Sequence, residues 1–323
     1  MKQTNDKLQR TKALALVSVT LGLMLALSQS AWAGGKKTHF TTTLVTLAGP
    51  PSGTVFADDE NLYIMGSESA MTEAASDPRV TGSAVITVDA VFDLQALTGP
   101  MWGKSHRPHA NGAWDGYWTG TRTAFEDPPD TWHVRSTIVS LAVGSGAFAG
   151  LVARWDLTGV DVDLGNPLTG SGYIIEAKGG PGERPMQWRS QGTESVGIHP
   201  GIFIAPPPGG PGAMITWELL SEVAQVSHLG RSADQGFGLL NPLTGDVSGA
   251  GALTSANGDR LYWVATGWSL GPSGPVDLTL HWVGGTGRFG AAVGEINGML
   301  MLDPREGTPL MDLSLNAQGT IRY

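Results

Sequence analysis

The chain has 323 residues, of which 46 are glycine and only 15% are charged, and its formal net charge is −9. It contains no cysteine, which excludes disulfides, thiolate metal sites, a cysteine nucleophile and a lipid-modified N-terminal cysteine. The acidic balance and the lack of any Lys/Arg run beyond the N-terminus exclude nucleic acid as a partner.

Lys2, Lys7, Arg10 and Lys12 precede an apolar run over 13–27, and Ala31-Trp32-Ala33 follows with small residues at the two cleavage-specifying positions. This pattern predicts a signal peptide over 1–33 and a secreted or periplasmic product. The run is shorter than the roughly 20 apolar residues a bilayer span requires, so no membrane insertion is expected after cleavage. Removing the peptide's net charge of +3 from −9 leaves about −12 on the remainder.

Segment 39–47 (HFTTTLVTL) is rich in threonine and β-branched residues and predicts a first strand, broken by the Gly49–Gly53 turn residues. A short strand is expected over 61–65, and a helical turn or two over 69–77, ended before Pro78. Segments 80–94, 114–123 (WDGYWTGTRT) and 132–143 (WHVRSTIVSLAV) alternate as strands do. A glycine-rich turn over 144–150, a strand over 152–162, a turn over 165–170 and a strand over 173–176 complete this stretch. Glycine and proline then crowd 178–212, including a Pro-Pro-Pro-Gly-Gly-Pro-Gly run, and predict a linker without regular structure. Strands resume at 214–220, 260–266 (RLYWVAT) and 276–283 (VDLTLHWV). After a second glycine-rich turn over 284–294 come 298–302, 311–315 and 320–323.

The chain repeats itself. Leu97-Thr98-Gly99 recurs as Leu243-Thr244-Gly245, and Ala110-Asn111-Gly112 recurs as Ala256-Asn257-Gly258, both at an offset of 146. Gly144-Ser145-Gly146-Ala147-Phe148 is answered by Gly285-Thr286-Gly287-Arg288-Phe289, and Gly172-Tyr173-Ile174 by Gly319-Thr320-Ile321. Four short matches in the same order predict a duplicated domain. The expected organisation is a signal peptide (1–33), a first domain (34–178), a linker (179–213) and a second domain (214–323).

The second copy carries Ala256-Asn257-Gly258-Asp259, then Gly284-Gly285-Thr286-Gly287-Arg288-Phe289, and closes on Gly319-Thr320-Ile321-Arg322-Tyr323. This ordered set resembles the barrel of the allene oxide cyclase and dirigent proteins and of small exported bacterial proteins that share it. The resemblance covers 214–323 and reaches 39–177 through the repeat. It implies an all-β fold of two tandem eight-stranded antiparallel barrels with apolar lumens. Barrel closure needs sharp bends between neighbouring strands, which Gly144, Gly146, Gly285 and Gly287 supply, with Phe148 and Phe289 packed beneath. No catalytic residue of the plant enzymes maps onto this chain.

Candidate ligand-contacting residues are Trp114 and Trp118 in the first copy, and Tyr262 and Trp263 in the second. Alternation puts the last two on opposite faces, so at most one lines a lumen. His106 and His109 flank Pro108 and read more simply as loop residues than as metal ligands. Asp161, Asp163 and Asn166 lack the spacing of a calcium loop. Asp58-Asp59-Glu60 reads as a solvated turn, and Glu126, Asp127 and Asp130 as loop carboxylates. No nucleophile elbow, phosphate loop or dinucleotide fingerprint is present, and no cofactor or metal is implied. The sequence therefore favours an exported, non-catalytic binding or surface-interaction protein whose partner is a small apolar ligand or a glycan. A cyclase- or isomerase-like enzyme acting on a lipid-derived substrate, and a carbohydrate-binding protein using exposed tryptophan, are the alternatives.

Overall fold

Period-two alternation runs through almost every described segment, and the chain answers it with strands. The computed structural model describes residues 36–47, 52–127, 131–176, 183–205, 211–269, 271, 274–306, 308 and 310–323. The expected signal peptide lies outside them. Among the described residues no helix is long and apolar enough to cross a membrane.

Two compact units emerge. The first carries β1 (Lys37–Thr46), β2 (Thr54–Ala57), β3 (Asn61–Ala75), β4 (Gly82–Asp93) and β5 (Thr98–His109). It continues with β6 (Gly112–Asp127), β7 (Thr131–Gly146), β8 (Leu151–Val160) and β9 (Leu168–Glu176). Each of β3 to β8 pairs antiparallel with its successor, or sits beside it. β1 pairs with both β9 and β3, which closes a ring of eight strands, and β2 adds to the first half of β3.

The second unit carries β10 (Arg184–Ala205), β11 (Pro211–Val226), β12 (Gly230–Leu240), β13 (Asp246–Ser255) and β14 (Arg260–Ser269). Then come β15 (Gly274–Gly285), β16 (Glu295–Pro304) and β17 (Leu310–Ile321). Successive strands pair antiparallel, and β10 pairs with β17, so this ring of eight also closes. The expected all-β architecture of two eight-stranded antiparallel barrels is the observed one.

Three local expectations are corrected. Segment 179–213 is not an irregular linker: β10 occupies most of it, and β11 begins within it. Glycine and proline suggested loop, but Met186, Trp188 and Ser190 alternate inward against outward Gln187 and Arg189, and pairing on both sides satisfies the backbone. Segment 69–75 is not helical. It is the second half of β3, where Met71 and Glu73 point to the buried face. His106 to His109 form the end of β5 rather than a loop.

The repeat falls at matching places in the two rings. Each Ala-Asn-Gly forms the turn after the fourth strand of its ring, and each Gly-x-Gly-x-Phe follows the sixth. Gly146 and Gly287 adopt φ of +60° and +54°, a left-handed conformation that side chains resist. Phe289 is fully buried and packs 5.0 Å from Tyr323, while Phe148 stacks on Trp114 at 5.1 Å. Register makes other pairs equivalent. Gly172 sits opposite Phe40 and Gly319 opposite Met186, which aligns Thr42 with Trp188 and Glu73 with Ala224. The offset of 146 shared by two of the matches aligns Arg107 with Leu253.

Candidate functional site

The two barrels fill their interiors differently. In the first unit, Glu73 is 1% exposed and lies among side chains from three other strands. Its carboxylate accepts hydrogen bonds from Thr42 Oγ1 (2.7 Å), Arg107 Nε (2.8 Å) and Trp155 Nε1 (2.8 Å). Partners on β1, β5 and β8 can meet one β3 side chain only inside the ring. Arg107 is 2% exposed, and its guanidinium lies 4.1 Å from the centre of the Trp155 ring. Phe40 and Trp114 pack edge-on against Trp155 at 5.8 and 6.3 Å. His109 closes over Phe148 at 5.2 Å, and burial holds its imidazole below the usual histidine range.

Trp114 and Trp118, the first copy's candidate ligand residues, belong to this packed interior. Trp114 donates to the Arg79 carbonyl at 2.7 Å, and Trp118 to the carbonyls of Thr87 and Lys104 at 3.2 Å. Their rings and their N–H groups are thus occupied within the fold.

The second unit retains a cavity, walled by all eight of its strands. Trp188 and Glu194 come from β10, Trp217 from β11, Asp234 from β12, Val247 from β13, and Trp263 and Ala265 from β14. Leu280 of β15, Leu300 of β16, and Leu313 and Leu315 of β17 also line it. The cavity gives the centre of a water-sized sphere about 60 Å³, several times the ~10–15 Å³ that one water needs. With its open mouth counted, it holds about 530 Å³ of empty space. An apolar wall of this kind favours an apolar guest over water.

Small residues make the wall possible. A Cβ on Gly251 would stand 2.3 Å from Trp263 Cζ2, and one on Gly236 would stand 2.4 Å from it. The Trp263 ring therefore lies flat across β13 and β12, and its Nε1 reaches Asp234 Oδ1 at 2.9 Å. Of the second copy's two candidates, Trp263 lines the cavity; Tyr262 is buried on the alternate face of β14.

The wall also carries two polar groups left over. Trp188 and Trp217 are 1% and 3% exposed, and neither indole N–H has a hydrogen-bond partner. Trp282, which stacks on Trp188 at 5.9 Å, is in the same condition. A buried donor without an acceptor costs about 1–3 kcal/mol. Glu194 and Asp234, each under 5% exposed, bring two acidic side chains to the same wall.

Sequence reasoning missed Trp188, Glu194, Trp217 and Asp234. Trp188 and Glu194 sit in the segment read as linker, where the alternation at 186–190 was the available signal. Among the described residues no three His, Cys, Asp or Glu side chains come together to hold a metal ion. His106 is instead tied to Asp115 at 2.6 Å, and His133 to Asp161 at 2.5 Å. The His133 bond holds the Asp161 carboxyl below the usual range.

No protein-family model, curated protein or solved structure matches the chain.

Proposed function

We propose that this chain is an exported binding protein that carries a small apolar molecule in the lumen of its second barrel, with the first barrel as a filled scaffold. The observation that carries this reading is the cavity to which all eight strands of one unit contribute and whose wall is mostly leucine, valine, alanine and tryptophan. Such a lumen is concave, largely apolar and preformed, with few polar groups to orient a guest. Export rests on the N-terminal pattern of basic residues, apolar run and Ala-Trp-Ala. The barrel resemblance, with its apolar lumen, points the same way.

The test is native mass spectrometry of the protein purified after export from a bacterial host, beside uptake of the uncharged fluorophore N-phenyl-1-naphthylamine. A releasable mass excess, or saturable uptake at one site, is expected. Ala265→Phe places a ring in the lumen and removes both signals while far-UV circular dichroism stays that of a β-barrel. A bare polypeptide mass together with no uptake defeats the reading. Glu194 and Asp234 on the same wall favour one second reading, an isomerase- or cyclase-like enzyme. Conversion of a bound molecule by the purified protein would replace carriage with catalysis.

A further inference from the structure

In the first unit, Trp114, Trp118 and Trp155 each have the indole N–H bonded. Trp114 and Trp118 use backbone carbonyls, and Trp155 uses the Glu73 carboxylate. In the second unit, Trp263 follows the same pattern through Asp234. Trp188, Trp217 and Trp282 break it, and the first two belong to the lumen wall. Folding leaves buried donors unpaired only rarely, because each loses its water without regaining a bond. Each such donor on the cavity wall therefore marks a place where an acceptor is due.

The composition of the wall narrows the acceptor. A carboxylate or phosphate guest would give up its water to a mostly apolar wall that has no Lys, Arg or His among its lining residues. An uncharged carbonyl oxygen avoids that cost and still accepts from an indole N–H. The leucine side of the wall takes the hydrocarbon part. From these features we propose that the lumen selects an uncharged molecule with a hydrocarbon body and a carbonyl-type oxygen, held by the indole N–H of Trp188 or of Trp217. This rests on the lumen-binding reading above and adds to it the chemical class of the guest.

The experiment uses the full chain with ¹⁵N-labelled tryptophan and three probes with equal numbers of non-hydrogen atoms. They are cyclohexyl methyl ketone, isopropenylcyclohexane and cyclohexanecarboxylate. Trp188→Phe and Trp217→Phe spectra assign the two indole cross-peaks; the titrations themselves use the unsubstituted protein, so a variant that folds poorly does not spoil the test. The ketone is expected to bind about tenfold more tightly than the hydrocarbon, as one added hydrogen bond to a buried donor implies. It should also move the Trp188 or the Trp217 indole proton downfield while that of Trp114 stays still. Equal affinity for ketone and hydrocarbon, with unmoved indole protons, overturns the acceptor proposal and leaves lumen binding intact. Carboxylate binding as tight as the ketone's overturns the selection for an uncharged guest. If no probe binds at millimolar concentration and N-phenyl-1-naphthylamine is not taken up, the lumen reading itself fails, and the proposal falls with it.

Discussion

Replacing Glu73 with alanine removes one carboxylate and strands several groups. Arg107 loses the partner at 2.8 Å that balances its charge, in a place where only 2% of its surface meets solvent. Thr42 and Trp155 lose their acceptor as well. Breaking one side of a buried ion pair costs about 3–5 kcal/mol, most of it the penalty of an uncompensated buried charge. With a urea m-value of about 2 kcal/mol/M, Glu73→Ala lowers the first unit's unfolding midpoint by roughly 2 M. Amide exchange separates the units: protection in β3 and β5 should fall by about two to four powers of ten, while β12 and β14 keep theirs.

A second variant isolates the cause. Glu73→Gln with Arg107→Leu keeps an acceptor for Thr42 and Trp155, removes both charges, and installs at 107 the residue the second unit has at its equivalent, Leu253. Exchanging a buried ion pair for uncharged groups of similar volume is often close to neutral. The double variant should therefore recover most of the loss, to within about 2 kcal/mol of the parent. If Glu73→Ala costs less than about 1 kcal/mol, the pair is not sealed from water and the reasoning fails. If the double variant is as unstable as Glu73→Ala, charge compensation is not what the network supplies.

Two further outcomes follow from local geometry. Burial depresses the His109 pKa in the folded state, so the unfolded chain binds the proton more readily. Its contribution is complete above the unfolded value of about 6.5 and is lost as pH falls through the folded value; His109→Gln should therefore show a smaller drop in Tm between pH 7 and 5 than the parent. Gly146→Ala forces a side chain onto φ +60°, with its Cβ 2.4 Å from the Asn111 carbonyl oxygen, and should destabilise the first unit by at least about 1 kcal/mol in urea unfolding. A neutral effect would mean that the turn relaxes freely.

Much of the fold was legible because a β-barrel writes itself locally. The Thr-rich alternation at 39–47 and the tryptophan-glycine alternation at 114–118 are period-two signals that no distant contact is needed to read. The glycine turns are legible for the same reason, since positive φ at Gly146 and Gly287 is a local demand. The failures share a different cause. Ser69-Ala70-Met71-Thr72-Glu73 has residues that suit a helix, and only pairing with β1 and β4 makes it a strand. Segment 184–205 holds Pro185 and Pro200, yet β11 and β17 order it from either side. The site was obscured in the same way. Trp114 and Trp263 each stand on an alternating strand; which ring encloses space depends on Glu73, Arg107 and Trp155 converging from strands far apart in sequence.

That convergence explains how one architecture yields two interiors. At equivalent register positions the first unit has Thr42, Glu73 and Arg107, and the second has Trp188, Ala224 and Leu253. In the first, a guanidinium and a carboxylate bridge the ring and draw Trp155 to them, so polar pairing fills the centre. In the second, loss of the acid and the base removes that bridge, and the bulk moves to the wall. Trp188 takes the place of a threonine, and Trp263 lies flat over Gly251 and Gly236. An aromatic laid against its own sheet leaves the axis open, whereas one pulled across by a hydrogen bond to the far side closes it. The Trp263 bond to Asp234, on a strand only two places away in the sheet, is of the first kind, and the Trp155 bond to Glu73 across the ring is of the second. Whether a barrel of this architecture is solid or hollow is therefore decided by where its buried carboxylates stand relative to its tryptophans, more than by how apolar its strands are.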